Sequence, residues 1–184
     1  CQTDGMADAE GTSRSGLPGL WRHAMTADDW IAHLRLAPHP EGGYFRRGYT
    51  AELTLDLPDR SGPRPVATAI FYLLKGDQHS RLHRLKSDEL WHFHLGSALT
   101  LHRLDRREGY VAAKLGADPA AGQHLQIAVR AGCWFGATVD DPAGFSLLGC
   151  TVAPGFDFAD FELANRATLI HQYPQHAALI ERLT

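Results

Sequence analysis

The sequence predicts an all-β fold with one helix before the strands and short helices after them. After Pro40 the chain breaks into many short apolar runs, and turn residues such as Lys75-Gly76-Asp77 and Leu95-Gly96-Ser97 separate these runs. The run over 66–74 is almost continuously apolar, which is typical of a buried strand. Many short strands at this spacing indicate a β-sandwich or barrel. The predicted strands cover residues 43–49, 66–74, 80–85, 88–95, 98–104, 110–115, 124–130, 133–139 and 144–152.

The helix before the strands has clear boundary signals. Thr26 is a typical N-cap, with Asp29 as its capping-box partner, and the helix must end before Pro38. At the other end of the chain, helical periodicity returns and is interrupted at Pro174. The two C-terminal helices are predicted over 165–172 and 175–183.

Composition limits the class of protein. A chain of 184 residues suits one domain, which we predict over 21–184, after a disordered tail over 1–20. The formal net charge of −3 argues against a nucleic-acid partner. No apolar run reaches the ~18 residues of a membrane span.

The cysteines indicate a reducing compartment. The chain has 3 cysteines without paired spacing, so a disulfide framework is not expected and we predict a cytoplasmic protein. The alternative is a processed lipoprotein that begins at Cys1.

The segment over 76–96 carries the most specific pattern. Gly76, His83, Glu89 and Gly96 stand at spacings that resemble the first motif of the cupins, in which adjacent strands deliver histidines and a glutamate into one cavity. The usual position of the second histidine falls on Leu85.

Four segments together resemble one family, called DUF985 or "cupin 5". The resemblance implies an RmlC-like cupin jelly-roll barrel that usually forms a homodimer. It also brings the label "predicted sugar epimerase", which rests on analogy between folds rather than on a known reaction. The matching segments are 38–46, 87–94, 130–134 and 150–162.

The resemblance also implies an incomplete metal site. In the second cupin motif the ligand position falls on Phe135, so that Leu85 and Phe135 occupy two of the four usual ligand positions. A catalytic metal generally needs about three protein ligands. We therefore predict no organic cofactor and at most a loosely held divalent metal, for which the candidate ligands are His83, Glu89 and His94.

A histidine–carboxylate pair is the main catalytic candidate. His83 and Glu89 are expected to face one cavity, where they can act as a general base; the alternative for His83 is a satisfied buried histidine. Tyr44 and Tyr72 are candidates for donating a proton on the opposite face of a sugar ring, and Arg46 for binding a phosphate or carboxylate. Their alternatives are an ordinary strand aromatic and a surface charge.

Aromatic residues are the candidate walls of the pocket. Strand alternation puts Trp91 and Phe93 on the side of Glu89, and His92 and His94 on the opposite side. Trp134 is a further wall candidate, with plain core packing as the alternative. The residues His39 and Glu41 stand beside a Gly-Gly pair, where they either line the mouth of the cavity or cap local backbone.

Three functions remain open from the sequence. The first is a metal-independent epimerase or isomerase that acts on a small polar, sugar-derived molecule. The second is a metal-dependent cupin such as a dioxygenase or isomerase, and the third is a cupin that binds a small molecule without catalysis.

Overall fold

The structure of the chain is a computed structural model that describes residues 25–105 and 109–184. The helices are α1 (Ala27–Leu34), α2 (Arg166–Gln172) and α3 (Ala177–Arg182), with 3-10 turns at Pro119–Ala121, Phe158–Asp160 and Pro174–His176. The strands are β1 (Ala37–Pro38), β2 (Tyr44–Thr50), β3 (Thr54–Leu55), β4 (Arg64–Pro65), β5 (Thr68–Lys75), β6 (His79–Leu85), β7 (Asp88–Gly96), β8 (Leu99–Asp105), β9 (Gly109–Leu115), β10 (Gln123–His124), β11 (Gln126–Val129), β12 (Trp134–Val139), β13 (Phe145–Ala153) and β14 (Phe161–Leu163).

Two six-stranded sheets make up the body of the fold. The first sheet has the order β1-β2-β5-β13-β7-β11, and the second has the order β10-β9-β8-β12-β6-β14. The long crossovers between sheets give a jelly roll, so the predicted fold class is confirmed, including the helix before the strands and the short helices after them. The strands β1, β3, β4 and β14 were not predicted, because segments of two or three residues are too short to show alternation.

Strand alternation decides which side chains enter the space between the sheets. In β6, His83 and Leu85 point inward, whereas Arg84 points outward and lies over the ring of Trp134 at 4.5 Å. In the first sheet, register aligns Arg47, Ile70 and Cys150 in one row across three neighbouring strands. This alignment brings residues far apart in sequence to the same end of the interior.

Helices cover parts of both outer faces. The α1 helix starts at a capping box made by Thr26 and Asp29, as predicted, and packs Trp30 and Ile31 against the first sheet. The α2 and α3 helices cover the second sheet, where their side chains join Leu82, Leu104 and Trp134 in one buried cluster. The space between the two sheets contains a separate cluster of buried apolar side chains and a small cavity.

Some sequence predictions concern other parts of the chain. The predicted tail over 1–20 lies outside the described residues. Among the residues that the structure describes, every helix is too short or too polar to cross a membrane. Cys133 and Cys150 are buried and form no disulfide.

Candidate active site

A small cavity lies between the two sheets. Its volume of about 30 Å³ is enough for roughly two water molecules and no larger guest in the present conformation. Polar and charged side chains occupy part of its wall, and apolar side chains occupy the rest. The lining residues are His39, Glu41, Phe45, Arg47, Thr68, Ile70, Tyr72, His83, Leu85, Glu89, Cys150, Val152, Phe156 and Phe161.

His83 pairs with Glu41 in this cavity. The Nδ1 atom of His83 lies 2.7 Å from the carbonyl oxygen of Arg81, so this nitrogen carries a hydrogen, because a carbonyl can only accept. The Nε2 atom lies 3.2 Å from Oε2 of Glu41. The two side chains form an ion pair when the imidazole is protonated. The Ser80 hydroxyl donates to the other carboxylate oxygen, Oε1, at 3.0 Å.

A Gly-Gly loop places Glu41 against β6. Gly42 has φ +114°, and an added Cβ would lie 2.3 Å from the carbonyl oxygen of His79, so only glycine fits. The backbone N–H of Arg81 donates to the carbonyl of Glu41 at 2.8 Å. The tight loop and this hydrogen bond turn the Glu41 side chain toward His83. The sequence left two alternatives open for His39 and Glu41, and both are present. Both residues line the cavity, and Nδ1 of His39 also accepts a hydrogen bond from the backbone N–H of Glu41 at 3.3 Å.

Glu89 enters the cavity from β7 as a buried acid. Its exposure is 6%, and burial followed by the charge of Glu41 raises the pKa of Glu89 to about 8, although the nearby Trp91 and Cys150 side chains oppose this rise. Glu89 is therefore largely protonated at neutral pH. Within the described part of the chain, its Oε2 atom has no hydrogen-bond partner, and neither does Nε1 of Trp91. A buried polar atom without a partner is costly, which marks a place where a bound molecule could supply one.

Tyr72 and His39 complete the polar wall. The Tyr72 hydroxyl donates to the carbonyl of Gly42 at 2.8 Å, and burial raises the pKa of Tyr72 well above its ordinary value. Burial lowers the pKa of His39, partly offset by the charge of Glu41, so that this imidazole is neutral at pH 7. Its ring packs against Phe45 at 4.5 Å and faces Phe158 at 6.5 Å. Both residues are thus held in place by the loop and by the aromatic side chains around it.

The predicted β2 residues lie on the opposite face of their strand. Tyr44 belongs to the apolar cluster under α1, and Arg46 lies over the outward-facing ring of Phe71 at 5.6 Å. Their neighbours Phe45 and Arg47 line the cavity instead. The sequence prediction chose the right strand but the wrong face, because the polar and aromatic pairs Tyr44-Phe45 and Arg46-Arg47 give no alternation to read.

The predicted aromatic walls also lie outside the cavity lining. Trp91 is inward and buried, but it packs behind the wall, edge-on to Tyr72 at 5.7 Å and to Phe135 at 6.2 Å. Phe93 packs farther along the same core. Trp134 faces outward, because it adjoins the inward Phe135, and it packs under the C-terminal helices. The aromatic side chains that do line the cavity are Phe45 from β2, Tyr72 from β5, and Phe156 and Phe161 from the segment after β13.

Comparison with known families places this site in context. The family described as "Cupin superfamily (DUF985)" matches residues 28–164. The chain belongs to this family. No curated protein matches the chain significantly.

Two solved structures resemble this cupin over almost their whole lengths. Protein SO0799 from Shewanella oneidensis is 41% identical, with a TM-score of 0.80 over 88% of this chain and 98% of that one. A hypothetical protein from Leishmania major is 38% identical, with a TM-score of 0.81 over 87% and 99% of the two chains. Oxalate decarboxylase from Bacillus subtilis, at 14% identity and a TM-score of 0.52 over 80% and 36%, shares the fold alone.

The donor set of this cupin does not fit a resident metal. Leu85 lines the cavity without a donor atom, and Phe135 packs against the His83 ring at 4.1 Å. His94 lies on the outer face of the first sheet near Gly149, so it cannot join His83 and Glu89. Among the described residues, no three His, Cys, Asp or Glu side chains are arranged to hold a metal ion. The chemistry of the site is therefore derived from its acid and base groups.

Proposed function

We propose that this cupin binds a small polar molecule in the cavity and catalyses a metal-independent proton transfer, as an epimerase or isomerase does. The observation that carries the proposal is the pair of carboxyl groups on one cavity. Glu41 lies beside His83, and Glu89 is buried with an unpartnered oxygen. Two carboxyl groups in different surroundings on one cavity are a common basis for acid–base catalysis.

The roles follow from where the protons lie. Glu41 is the base that takes a proton from a carbon next to a carbonyl, and His83 lies 3.2 Å from its carboxylate. Glu89 is the acid that donates its proton to the carbonyl oxygen as charge develops there. In the isomerase reaction, Glu41 returns its proton to the neighbouring carbon, and Glu89 takes a proton back from the hydroxyl that becomes the new carbonyl. In the epimerase reaction, water supplies a proton to the opposite face, Glu41 releases its proton to water, and Glu89 takes its proton back from the enol oxygen. Both side chains then regain their starting states.

Tyr72 has a supporting role in this scheme. Its hydroxyl already donates to Gly42, and its pKa is raised, so it is a poor proton donor to a substrate. It instead holds the loop that carries Glu41. A sugar-derived substrate requires the aromatic side chains of Phe156 and Phe161 to move, because the cavity of about 30 Å³ is smaller than a sugar.

Solvent exchange tests the proposed reaction without knowledge of the product. The protein is incubated in D₂O with a panel of small aldoses, ketoses and hydroxy acids, and ¹H NMR follows loss of the carbon-bound proton. We expect exchange in at least one compound, and a fall of about 100-fold or more in Glu41→Gln and in Glu89→Gln.

Arg46→Met is the matched control because Arg46 points to the outer face. Wild-type rates in both glutamine variants would contradict the assigned roles. Binding of one of these compounds without proton exchange would contradict the proposed catalysis and would indicate a protein that only binds a small molecule. Elemental analysis of the purified protein belongs to the same experiment, since one firmly bound metal per chain would favour a metal-dependent cupin.

We also propose a homodimer and a cytoplasmic location. The part of the first sheet's outer face that α1 leaves open is lined by Tyr49, Phe71, His92 and His94, and Tyr49 is 56% exposed. A second copy of the chain would cover this face and its edge strands. Light scattering checks the assembly, and a mass of a single chain at micromolar concentration would contradict it. The 3 cysteines of the chain show no paired spacing, which supports a reducing compartment.

A further inference from the structure

Arg47 is an exposed cation in the cavity lining that the proposed proton transfer does not use. Its Nη2 atom lies 3.4 Å from the carbonyl oxygen of Phe156, and its guanidinium lies 5.8 Å from the centre of the Phe156 ring. None of the ion pairs among the described residues includes Arg47. A long, weak contact to a carbonyl leaves most of its donors free for another group.

Neither acid of the cavity lining, Glu41 or Glu89, forms an ion pair with Arg47. Glu41 lies beside His83, and Glu89 is largely protonated at neutral pH. Because Arg47 is exposed, water hydrates its charge in the free protein, and an anionic ligand can replace that water. A guanidinium presents a planar fork that matches a carboxylate.

The register of the first sheet sets the distance to the acid. Arg47 is on β2 and Glu89 is on β7, which are separated by β5 and β13. Three inter-strand spacings amount to about 14 Å between the two backbones. The register row of Arg47 runs through Ile70 and Cys150 to Trp91, so Glu89 lies two residues farther along β7, and both Arg47 and Glu89 line the one cavity. The wall between them is mainly apolar, with Ile70 and Val152 among its residues.

We propose that the ligand is a short hydroxy-carboxylate, whose carboxylate is bound by the Arg47 guanidinium and whose oxygen-bearing carbon faces Glu89 and Glu41. The cavity of about 30 Å³ must widen for either ligand, and a short chain requires less movement of Phe156 and Phe161 than a nucleotide-linked sugar does. This inference rests on the proposed function for the choice of the cavity and of the reacting end, and it adds the chemical class of the ligand.

Paired probes test the class of the ligand directly. Calorimetry measures binding of lactate against lactamide and of glucuronate against glucose, so that each pair differs in a negative charge and the two carboxylates differ in size. We expect the wild type to bind lactate about tenfold or more tightly than lactamide. Arg47→Met should lose this preference, and Arg47→Lys should retain part of it because lysine keeps the charge without the fork.

Arg46→Met is again the matched control, since it removes the same side chain from the adjacent, outward position. It should bind lactate as the wild type does. Stronger binding of glucuronate than of lactate would support a carboxylate ligand but would contradict the proposal that its carbon chain is short. Equal binding of lactate and lactamide, equal losses in the two methionine variants, or no binding of either carboxylate at millimolar concentration would overturn the proposal.

Binding and exchange fail independently. Carboxylate binding that depends on Arg47 but gives no exchange in D₂O would support this inference and contradict the proposed reaction. Exchange in a neutral compound that is unaffected by Arg47→Met would do the reverse.

Discussion

Two buried acidic side chains in this cupin differ in how completely their oxygens are hydrogen-bonded. Asp160 accepts from Arg64 at both carboxylate oxygens, at 2.8 and 3.2 Å, and the remaining nitrogen of Arg64 donates to the carbonyls of the loop before it. Glu89 is as buried as Asp160, at 6% exposure, yet one of its oxygens has no partner among the described residues. The Arg64–Asp160 pair stabilises the segment that carries Phe161, whereas Glu89 keeps an unpaired oxygen where a ligand could bind.

This difference distinguishes a buried ionisable group that stabilises the fold from one that belongs to a binding site. A fully paired buried ion contributes to a unique conformation, and removal of one partner leaves an uncompensated charge. A buried acid without a partner costs stability in the free protein, and such a cost is common at functional sites. The predictions below test each half of this comparison.

The largest expected effect is on stability, at Asp160. Asp160→Asn keeps the size of the side chain but leaves the Arg64 guanidinium without its counter-charge, so we expect the free energy of unfolding to fall by about 3 kcal/mol. Denaturant unfolding measures this. The control is Glu162→Gln, which breaks the exposed pair with Arg84 and should cost less than about 1 kcal/mol. Equal losses of stability in the two variants would show that the buried Arg64–Asp160 pair contributes no more than the exposed pair does.

The next effect is a pH dependence that comes from Glu89. Its pKa is raised from 4.5 to about 8 in the folded chain, so the folded state holds this proton where the unfolded state has released it. The stabilisation is complete below pH 4.5 and is lost as the pH rises toward 8. Relative to Glu89→Gln, the wild type should therefore lose about 3 kcal/mol of stability between pH 5 and pH 8. Parallel stability curves for the two proteins over this range would contradict the buried neutral acid.

The smallest effect concerns the two faces of β2. Removing the hydroxyl of Tyr44, which packs under α1, should change the proton-exchange rate by less than about twofold. The same NMR assay measures this. A loss as large as that in Glu41→Gln would return Tyr44 to the catalytic residues and contradict the position of its side chain.

The sequence predicted the fold well because its signals are local. The turn residues and the length of the apolar runs placed the main strands within about two residues, and the cap at Thr26 placed α1. These features depend on neighbours in the chain, so they can be read without the tertiary structure.

The site was predicted less well because its geometry depends on register between distant strands. His83, Glu89 and Tyr72 were named, and all three line the cavity. The partner of His83 is nevertheless Glu41, which comes from a loop about 40 residues earlier in the chain. The glycine pair after Glu41 was a signal for a tight loop, but only the close approach of Gly42 to His79 shows where that loop is docked.

The proposed reaction requires Glu89 to be a neutral acid at physiological pH. A pH titration of the side-chain carboxyl ¹³C resonances of glutamate-labelled protein tests it most directly, with Glu89→Gln identifying the resonance. We expect the titration of Glu89 to have its midpoint at about pH 8. A midpoint near the ordinary value of 4.5 would contradict it, because an ionised Glu89 could not donate the proton that the proposed reaction requires.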